Sequence, residues 1–316
     1  MISDNKGIRN ISRWLALACL VVPMFGSYFF DDMFSSLSQL FRNPELLELG
    51  WDSAYYGVYA GGYSFLCVWG GLIVCGMLLD KWGVRVTGSI FVGLMAAGAA
   101  IVTLAITSGM APESSLALAY AGCMIFGLGS EIAGVAVTRS IAKWFKGHNM
   151  ALAMGLQLAI ARLGTALALI LSPILVSAKP AGCSYTLMET ARPALAGLIL
   201  LLAGTVLWGI FVAMDARFDS MTGSTDKKET AEEDKFKFPD IFKVLGNKYF
   251  ILSALLCVFF YCSIISFKKF ATSILIPRFD IPVESASLMV SMIPFFTVIF
   301  APLFGFLVDK SGKGTR

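Results

Sequence analysis

Long runs of apolar residues, separated by shorter polar stretches, make up most of the chain. A helix that crosses a bilayer needs about 20 consecutive apolar residues. Eight runs meet this length, at residues 14–36, 53–79, 86–108, 115–142, 149–177, 193–214, 249–276 and 285–308. This pattern predicts an all-α membrane protein with eight transmembrane segments. The composition agrees, because 57% of the residues are hydrophobic and only 15% are charged, against about 25% charged in soluble domains.

The positive charges are unevenly distributed between the two sets of connections. Of the 25 lysines and arginines, 17 lie on the side that carries the N-terminus, four lie on the opposite side and four lie within segments. Cytoplasmic connections carry an excess of lysine and arginine, so we expect the N-terminus to be cytoplasmic. The net charge of +4 is too small to suggest a nucleic-acid partner. The expected partners are the lipid bilayer and a small-molecule substrate.

The order of segments and an internal repeat predict two halves. We expect a six-helix half at 1–214, a polar cytoplasmic linker at 215–248 and the first two helices of a second half at 249–316. The pattern G-x-x-x-D-K-x-G occurs two segments into each half, and parallel six-segment repeats are typical of one class of transporters. The expected signature positions are Gly76, Asp80, Lys81, Gly83 and Arg85 in the first copy, and Gly305, Asp309, Lys310 and Gly312 in the second. The chain ends after the second copy, so we interpret it as truncated by about four segments.

Each repeat places an aspartate at the end of a helix, where it can face the positive N-terminus of another helix. If the halves are related by symmetry, Asp309 should approach the backbone of residues 147–150, at the start of the fifth segment. The equivalent partner of Asp80 would lie beyond the end of this chain. We therefore expect Asp80 to pair locally with Arg139 or Arg85.

Two opposite charges lie deep within apolar segments. Glu131 is in the fourth segment and Arg162 in the fifth, both near the middle of the bilayer at 1.5 Å per helical residue. A charge at this depth costs about 2.5–3.5 kcal/mol on insertion scales, so such residues face a bundle interior or a water-filled cavity. They could form a structural pair that only closes the bundle. Alternatively, both line a cavity and bind a zwitterion, because a guanidinium suits a carboxylate.

Other polar side chains are weaker candidates for the same cavity. Gln157 could bind a peptide group or a neighbouring helix, and Tyr28 and Tyr59 could line the cavity or simply pack. Asp31 and Asp32 are adjacent and point to different faces, so at least one should reach the cavity or its outer vestibule. The remaining candidates are the adjacent lysines Lys268 and Lys269. Either both extend to the outer surface, or one of them contributes a cation to the cavity.

The first repeat, with Arg85 following it, resembles the signature loop of the major facilitator superfamily. The resemblance covers the whole chain, as the first eight of twelve helices. Three runs are also similar to the lysosomal dipeptide-transporter branch, which typically has G-x-G-x-E, S-W-F-K-G-K and G-L-Q-L-S-x-A-R-x-G. The matching runs in this chain are FGLGSE at 126–131, AKWFKG at 142–147 and GLQLAIARLG at 155–164.

The resemblance implies roles for individual residues. In that branch the glutamate and the arginine hold the amino and carboxylate ends of a dipeptide, which implies these roles for Glu131 and Arg162. A match around residues 26–32 favours Asp32 as the carboxylate near the site. The branch has a single lysine nearer Thr272, whereas this chain has two at 268–269, so that lysine is not carried over. The resemblance also implies facilitated uniport and an accessory membrane subunit.

The sequence thus predicts a transporter of small zwitterions, with dipeptides as the favoured substrate, that works by alternating access. Two alternatives stay open: a proton-coupled carrier of organic anions or drugs, and a non-transporting truncated membrane partner. No cofactor or metal is expected, and the sequence has no nucleophile–base set that would indicate an enzyme. We expect a plasma or inner membrane location if the source is bacterial, and a lysosomal membrane if it is eukaryotic.

Overall fold

The computed structural model describes residues 2–147, 149–177, 179, 182–222 and 246–311. Within these ranges the chain is a bundle of long α-helices with a few short helical turns, and the one bridge of strand type joins Leu47 to Tyr185. The all-α fold class predicted from the apolar runs is therefore confirmed.

Eight α-helices follow one another along the described residues. They are α1 at Ile2–Asp32, α2 at Ser53–Leu66, α3 at Leu72–Thr107, α4 at Pro112–Trp144, α5 at Met150–Val176, α6 at Leu187–Thr222, α7 at Lys248–Phe279 and α8 at Val283–Ser311. A π-helical turn, Cys67–Gly71, joins α2 to α3. Three 3₁₀ turns connect α1 to α2, at Ser35–Leu37, Leu40–Arg42 and Pro44–Leu46.

Helix α3 contains the reversal between the second and third predicted segments. Gly83 has φ 77° and ψ 170°, a conformation that is essentially restricted to glycine. Residues before and after Gly83 contact neighbouring positions of α4. A Cβ on Gly127 would overlap the backbone of Tyr63, and one on Gly129 would lie 2.5 Å from the nitrogen of Met95.

The chain from α2 to Gly83 therefore crosses the bundle once, and the rest of α3 crosses back. Seven helical stretches of the described residues are long and apolar enough to span a membrane, and one of them is the 55-residue stretch Ser53–Thr107. Since this stretch accounts for two crossings, the helices match the eight predicted segments.

Helices α5 and α8 meet in a close backbone contact. A Cβ on Gly155 would lie 2.6 Å from the carbonyl oxygen of Ala301, and one on Gly305 would lie 2.5 Å from that of Ala151. Glycine permits such an approach because no side chain separates the backbones. The equivalent glycine of the first repeat, Gly76, has no such neighbour among the described residues.

The connection between α1 and α2 folds back over one end of the bundle. Phe34, Phe41 and Trp51 are each buried to 1% exposure or less. Backbone hydrogen bonds fix the connection to the segment before α6: Glu48 N donates to Tyr185 O at 3.0 Å, and Tyr185 N donates to Leu46 O at 2.7 Å. We call this the Tyr185 end, and the opposite end, which carries Gly83 and Lys143, the basic end.

Helix α6 extends to Thr222, eight residues into the linker predicted at 215–248. One face of residues 215–219 is packed, because Asp215 and Asp219 are buried and the ring of Phe218 stacks on Trp144 at 4.5 Å between centroids. At the other boundary α7 begins at Lys248, with the Asn247 side chain accepting from the nitrogen of Tyr249 at 3.0 Å. Residues 223–245 of the predicted linker lie outside the described residues.

Candidate functional site

A cavity of about 340 Å³ lies among five of the helices, and we call it the lysine lobe. Helices α1, α2, α4 and α5 form one wall and α7 forms the facing wall. It is lined by Tyr28, Asp31, Ala60, Tyr63, Ser64, Glu131, Arg162, Tyr261, Ile265, Lys268 and Lys269.

A second cavity of about 320 Å³, which we call the Gln157 lobe, shares Tyr28, Tyr63 and Glu131 with the first. It extends along α4 to Thr138 and Arg139, towards the basic end. Because three side chains line both spaces, the two lobes adjoin at Glu131.

Glu131 is held by a hydrogen bond rather than by a countercharge. The hydroxyl of Tyr63 on α2 donates to Glu131 Oε1 at 2.9 Å and lies 3.1 Å from Ser130 Oγ. Ser130 Oγ is in turn 2.5 Å from Ser27 Oγ on α1. Among the described residues, Glu131 makes no ion pair.

Arg162 is likewise held by an aromatic side chain. Its Cζ atom lies over the ring of Tyr28 on α1, 5.2 Å from the centroid, within the range of a cation–π interaction. In the described part of the chain Arg162 has no carboxylate within ion-pair distance. Glu131 and Arg162 therefore do not form the structural ion pair that was one of the two alternatives.

Four charges tie α1 to α7 beside the lysine lobe, and we call them the α1–α7 charge set. Lys268 Nζ lies 2.6 Å from Asp32 Oδ2. Lys269 Nζ lies 2.9 Å from Asp31 Oδ1 and 3.3 Å from Asp32 Oδ1. Both lysine side chains are at most 9% exposed, so they do not extend to the surface. They face the cavity and are already neutralised.

The structure divides the remaining predicted residues into two groups. Gln157 lines the lobe named after it. Asp32 and Tyr59 lie outside both linings, and this differs from the prediction: Asp32 is completely buried against the lysines, and Tyr59 packs on Phe34 and Trp51. The adjacent Asp31 lines the cavity instead.

Sequence reasoning also gave Tyr63 no particular role. Tyr56, Tyr59 and Tyr63 follow at helical spacing on α2, so the pattern indicates a shared face without distinguishing its members. Only the position of α4 selects Tyr63 as the residue beside the glutamate.

At the basic end, Asp309 of α8 accepts hydrogen bonds from the first turn of α5. Ala151 N donates to Oδ1 at 3.2 Å and Leu152 N donates to Oδ2 at 2.8 Å. The contact predicted between Asp309 and the start of the fifth segment is present, one to two residues beyond the expected range of 147–150. Lys310 is exposed beside it, and Gly312 lies outside the described residues.

Among the described residues, Asp80 of the first repeat pairs locally at the same end, as predicted. Arg139 Nη1 lies 2.6 Å from Asp80 Oδ1. Arg85 instead pairs with α6, at 2.8 Å from Asp219 Oδ2 and 3.5 Å from Asp215 Oδ2. Lys81 is exposed.

The sequence did not single out Asp215 and Asp219, the two buried aspartates of α6, although they pair with the basic residues at this end. Lys143 Nζ lies 3.1 Å from Asp215 Oδ2 and 2.7 Å from Asp219 Oδ1, and Trp144 Nε1 donates to Asp215 at 2.8 Å. A signal was available, because both acids lie one turn apart next to Phe218. The polar residues that follow favour a linker and obscure this signal.

Comparison with known proteins agrees with this architecture. The chain is 28% identical over 319 residues to the lysosomal dipeptide transporter MFSD1 of Danio rerio, and the match covers 96% of this chain. It is 25% identical over 310 residues to the Homo sapiens protein of the same name, again over 96% of this chain. In each case the chain spans 63% of the relative's length.

A shorter match, 31% identical over 136 residues, is to the probable anion transporter 3, chloroplastic, of Arabidopsis thaliana, covering 41% of this chain and 24% of that protein. The family model described as Major Facilitator Superfamily matches residues 23–316. The chain is thus a multi-pass integral membrane protein that belongs to the major facilitator superfamily of transporters.

Proposed function

We propose that this protein transports dipeptides, with Glu131 binding the ammonium group and Arg162 the carboxylate. One observation carries the proposal: the two opposite charges line one cavity, and neither is paired with the other or with any other charged group among the described residues. A charge kept unpaired within a membrane bundle is costly unless a ligand or water meets it. A zwitterion would neutralise both at once.

The cavity suits a solute of this size and charge pattern. At about 340 Å³, the lysine lobe falls at the lower end of the usual range for small-molecule sites. The charged groups of a dipeptide are separated by one peptide unit, about 3.8 Å between Cα atoms, and a free amino acid lacks this unit. The planar fork of Arg162 can hold a carboxylate with two parallel hydrogen bonds. Gln157, in the adjoining lobe, can meet a peptide group.

Contacts at the two ends of the bundle support alternating access by facilitated uniport. The α1–α7 charge set, with Ser38 Oγ 2.8 Å from Thr272 Oγ1, joins the halves on the Tyr185 side of the cavity. Asp309 joins them at the basic end. In this mechanism each set of contacts breaks when its own end opens. Asp32 acts through Lys268 and does not touch the substrate.

We further propose that the basic end faces the cytoplasm, since it carries most of the loop lysines and arginines. The similarity to lysosomal transporters favours a lysosomal membrane if the source is eukaryotic. An accessory membrane subunit stays a prediction of the resemblance.

The second candidate is a proton-coupled carrier of organic anions, favoured by the three cationic side chains that line the lysine lobe, Arg162, Lys268 and Lys269. Two of them are already neutralised by aspartates, which weakens this alternative. Uptake into proteoliposomes with and without a pH gradient separates the two. Uniport predicts equal initial rates, whereas proton coupling predicts strong stimulation by an inward gradient.

The main test is uptake of labelled alanyl-alanine by the purified full chain in proteoliposomes. Glu131→Gln and Arg162→Lys should each reduce uptake at least tenfold, because the first removes the countercharge and the second replaces a planar fork by a point charge. Glu113→Gln, in the first turn of α4, is the matched control. Normal uptake by both cavity variants would refute the proposal.

A further inference from the structure

Glu131 and Arg162 line the same cavity but form no ion pair with each other, although opposite charges attract. Each is instead held by a tyrosine from a neighbouring helix. Tyr63 of α2 donates its hydroxyl to Glu131 Oε1 at 2.9 Å, and the ring of Tyr28 of α1 lies under the guanidinium of Arg162 at 5.2 Å.

Both contacts follow from glycines close in sequence to the charges. Gly127 lies one helical turn before Glu131, and a Cβ there would overlap the backbone of Tyr63 itself. Gly164 lies two residues after Arg162, and a Cβ there would overlap the carbonyl oxygen of Phe25, one turn before Tyr28. The close approach of α2 to α4, and of α1 to α5, therefore places each tyrosine beside one charge.

The hydrogen bonding leaves the reactive face of each charge free. A carboxylate only accepts, so the single phenolic proton of Tyr63 is directed at Glu131. Among the described residues no donor meets the other carboxylate oxygen. The ring of Tyr28 covers one face of the guanidinium and accepts no hydrogen bond from its N–H groups, which remain available to donate to a carboxylate.

We propose that Tyr63 and Tyr28 are positioning residues that keep Glu131 and Arg162 separated and aimed into the cavity before substrate arrives. This inference rests on the proposed function, since it explains how the two ends of a zwitterion meet preorganised charges. Without the tyrosines, the two side chains would turn towards each other, and substrate would have to break that pair in order to bind.

The test measures binding to the purified full chain in lipid nanodiscs, with alanyl-alanine and its N-acetylated analogue as probes. Tyr63→Phe removes one hydroxyl and keeps the ring. We expect the Kd for alanyl-alanine to rise about tenfold, the scale of a lost hydrogen bond to a charged group, and the preference over the acetylated analogue to fall to about twofold. Tyr120→Phe, a half-buried tyrosine of α4 outside both linings, is the matched control.

Tyr28 gives the complementary result, because its ring rather than its hydroxyl makes the contact. Tyr28→Leu should weaken alanyl-alanine binding several-fold through loss of the cation–π interaction, and Tyr28→Phe should restore at least half of that loss. A merely structural role for the hydroxyls would not produce opposite tolerance to phenylalanine at the two positions.

A double-mutant cycle between Glu131→Gln and Arg162→Gln, read as the thermal midpoint of the ligand-free protein, tests the separation directly. We expect no coupling in the wild-type background and a coupling of a few degrees in the Tyr63→Phe background. Wild-type binding by Glu131→Gln and Arg162→Lys would refute the dipeptide proposal itself. If those variants lose binding while Tyr63→Phe binds within twofold of Tyr120→Phe, or if the cycle shows no coupling in either background, only the positioning role is refuted.

Discussion

Replacing Lys268 by methionine should destabilise the protein far more than removing any exposed lysine. The side chain of Lys268 is 8% exposed, and its partner Asp32 is completely buried. Removing one member of a buried ion pair costs about 3–5 kcal/mol, because the other charge is left without compensation. Asp32 keeps a second partner, Lys269 at 3.3 Å, so we expect Lys268→Met to cost about 3 kcal/mol, the lower limit of that range.

The reverse substitution removes the shared anion. Asp32→Asn leaves Lys268 with no carboxylate within ion-pair distance among the described residues, while Lys269 keeps Asp31. We therefore expect a larger cost, about 5 kcal/mol. The double variant, Asp32→Asn with Lys268→Met, should lose far less stability than the two single variants lose in total, since replacing a whole buried pair is often nearly neutral.

Thermal unfolding of purified protein in one detergent measures these differences. At about 2 °C per kcal/mol, a scale typical of larger chains, Lys268→Met should lower the midpoint by about 6 °C. Lys248→Met, an exposed lysine at the start of the same helix, should change it by no more than about 1 °C, since exposed substitutions usually stay within about 0.5 kcal/mol. Equal midpoints for the two methionine variants, or additive losses in the double variant, would contradict the burial and pairing described above.

Three further predictions concern other parts of the molecule. Asp309→Asn should weaken the contact with the start of α5 by up to about 2 kcal/mol. Cysteines placed in the cavity should then react faster with a thiol reagent added from the basic end. Unchanged labelling would show that this contact does not help to close the basic end. Gly127→Ala should cost about 1–3 kcal/mol through overlap with α2, whereas Gly61→Ala, with open space around its Cβ position, should be neutral or stabilising in the same unfolding assay. A cysteine at position 45 should react with an impermeant reagent from outside intact cells and one at position 228 should not; labelling at 228 would reverse the proposed orientation.

The long apolar runs were enough to predict the helices, because a helix that crosses a bilayer needs a minimum apolar length and this length can be read directly from the sequence. The repeat was enough to predict the Asp309 contact, since an aspartate at a helix end has few ways to be satisfied. The end of α6 was misjudged because Asp215 and Asp219 look like linker residues until Arg85 and Lys143 are brought beside them. Ion-pair partners of this kind lie far apart in sequence.

The rotation of each helix was the main quantity that the sequence left undetermined. Asp31 and Asp32 are adjacent and therefore about 100° apart around α1. Which of them lines the cavity depends on where α7 places its two lysines. Tyr59 and Tyr63 differ from this case, because they lie one turn apart on the same face of α2. There the position of α4 along that face selects the residue beside Glu131. In a helix that is apolar on most sides, the hydrophobic pattern does not identify the face that points inwards.

The bare backbone contact between α5 and α8 has a kinetic consequence. Where helices interlock through large side chains, changing their angle requires each side chain to leave one groove and enter another. Gly155 and Gly305 present no such side chains, so α5 and α8 can roll against each other with little repacking at this contact. Gly305→Leu should therefore slow the reorientation of the empty carrier more than it weakens substrate binding. The pace of a transport cycle would then be set in part by two residues that never meet the substrate.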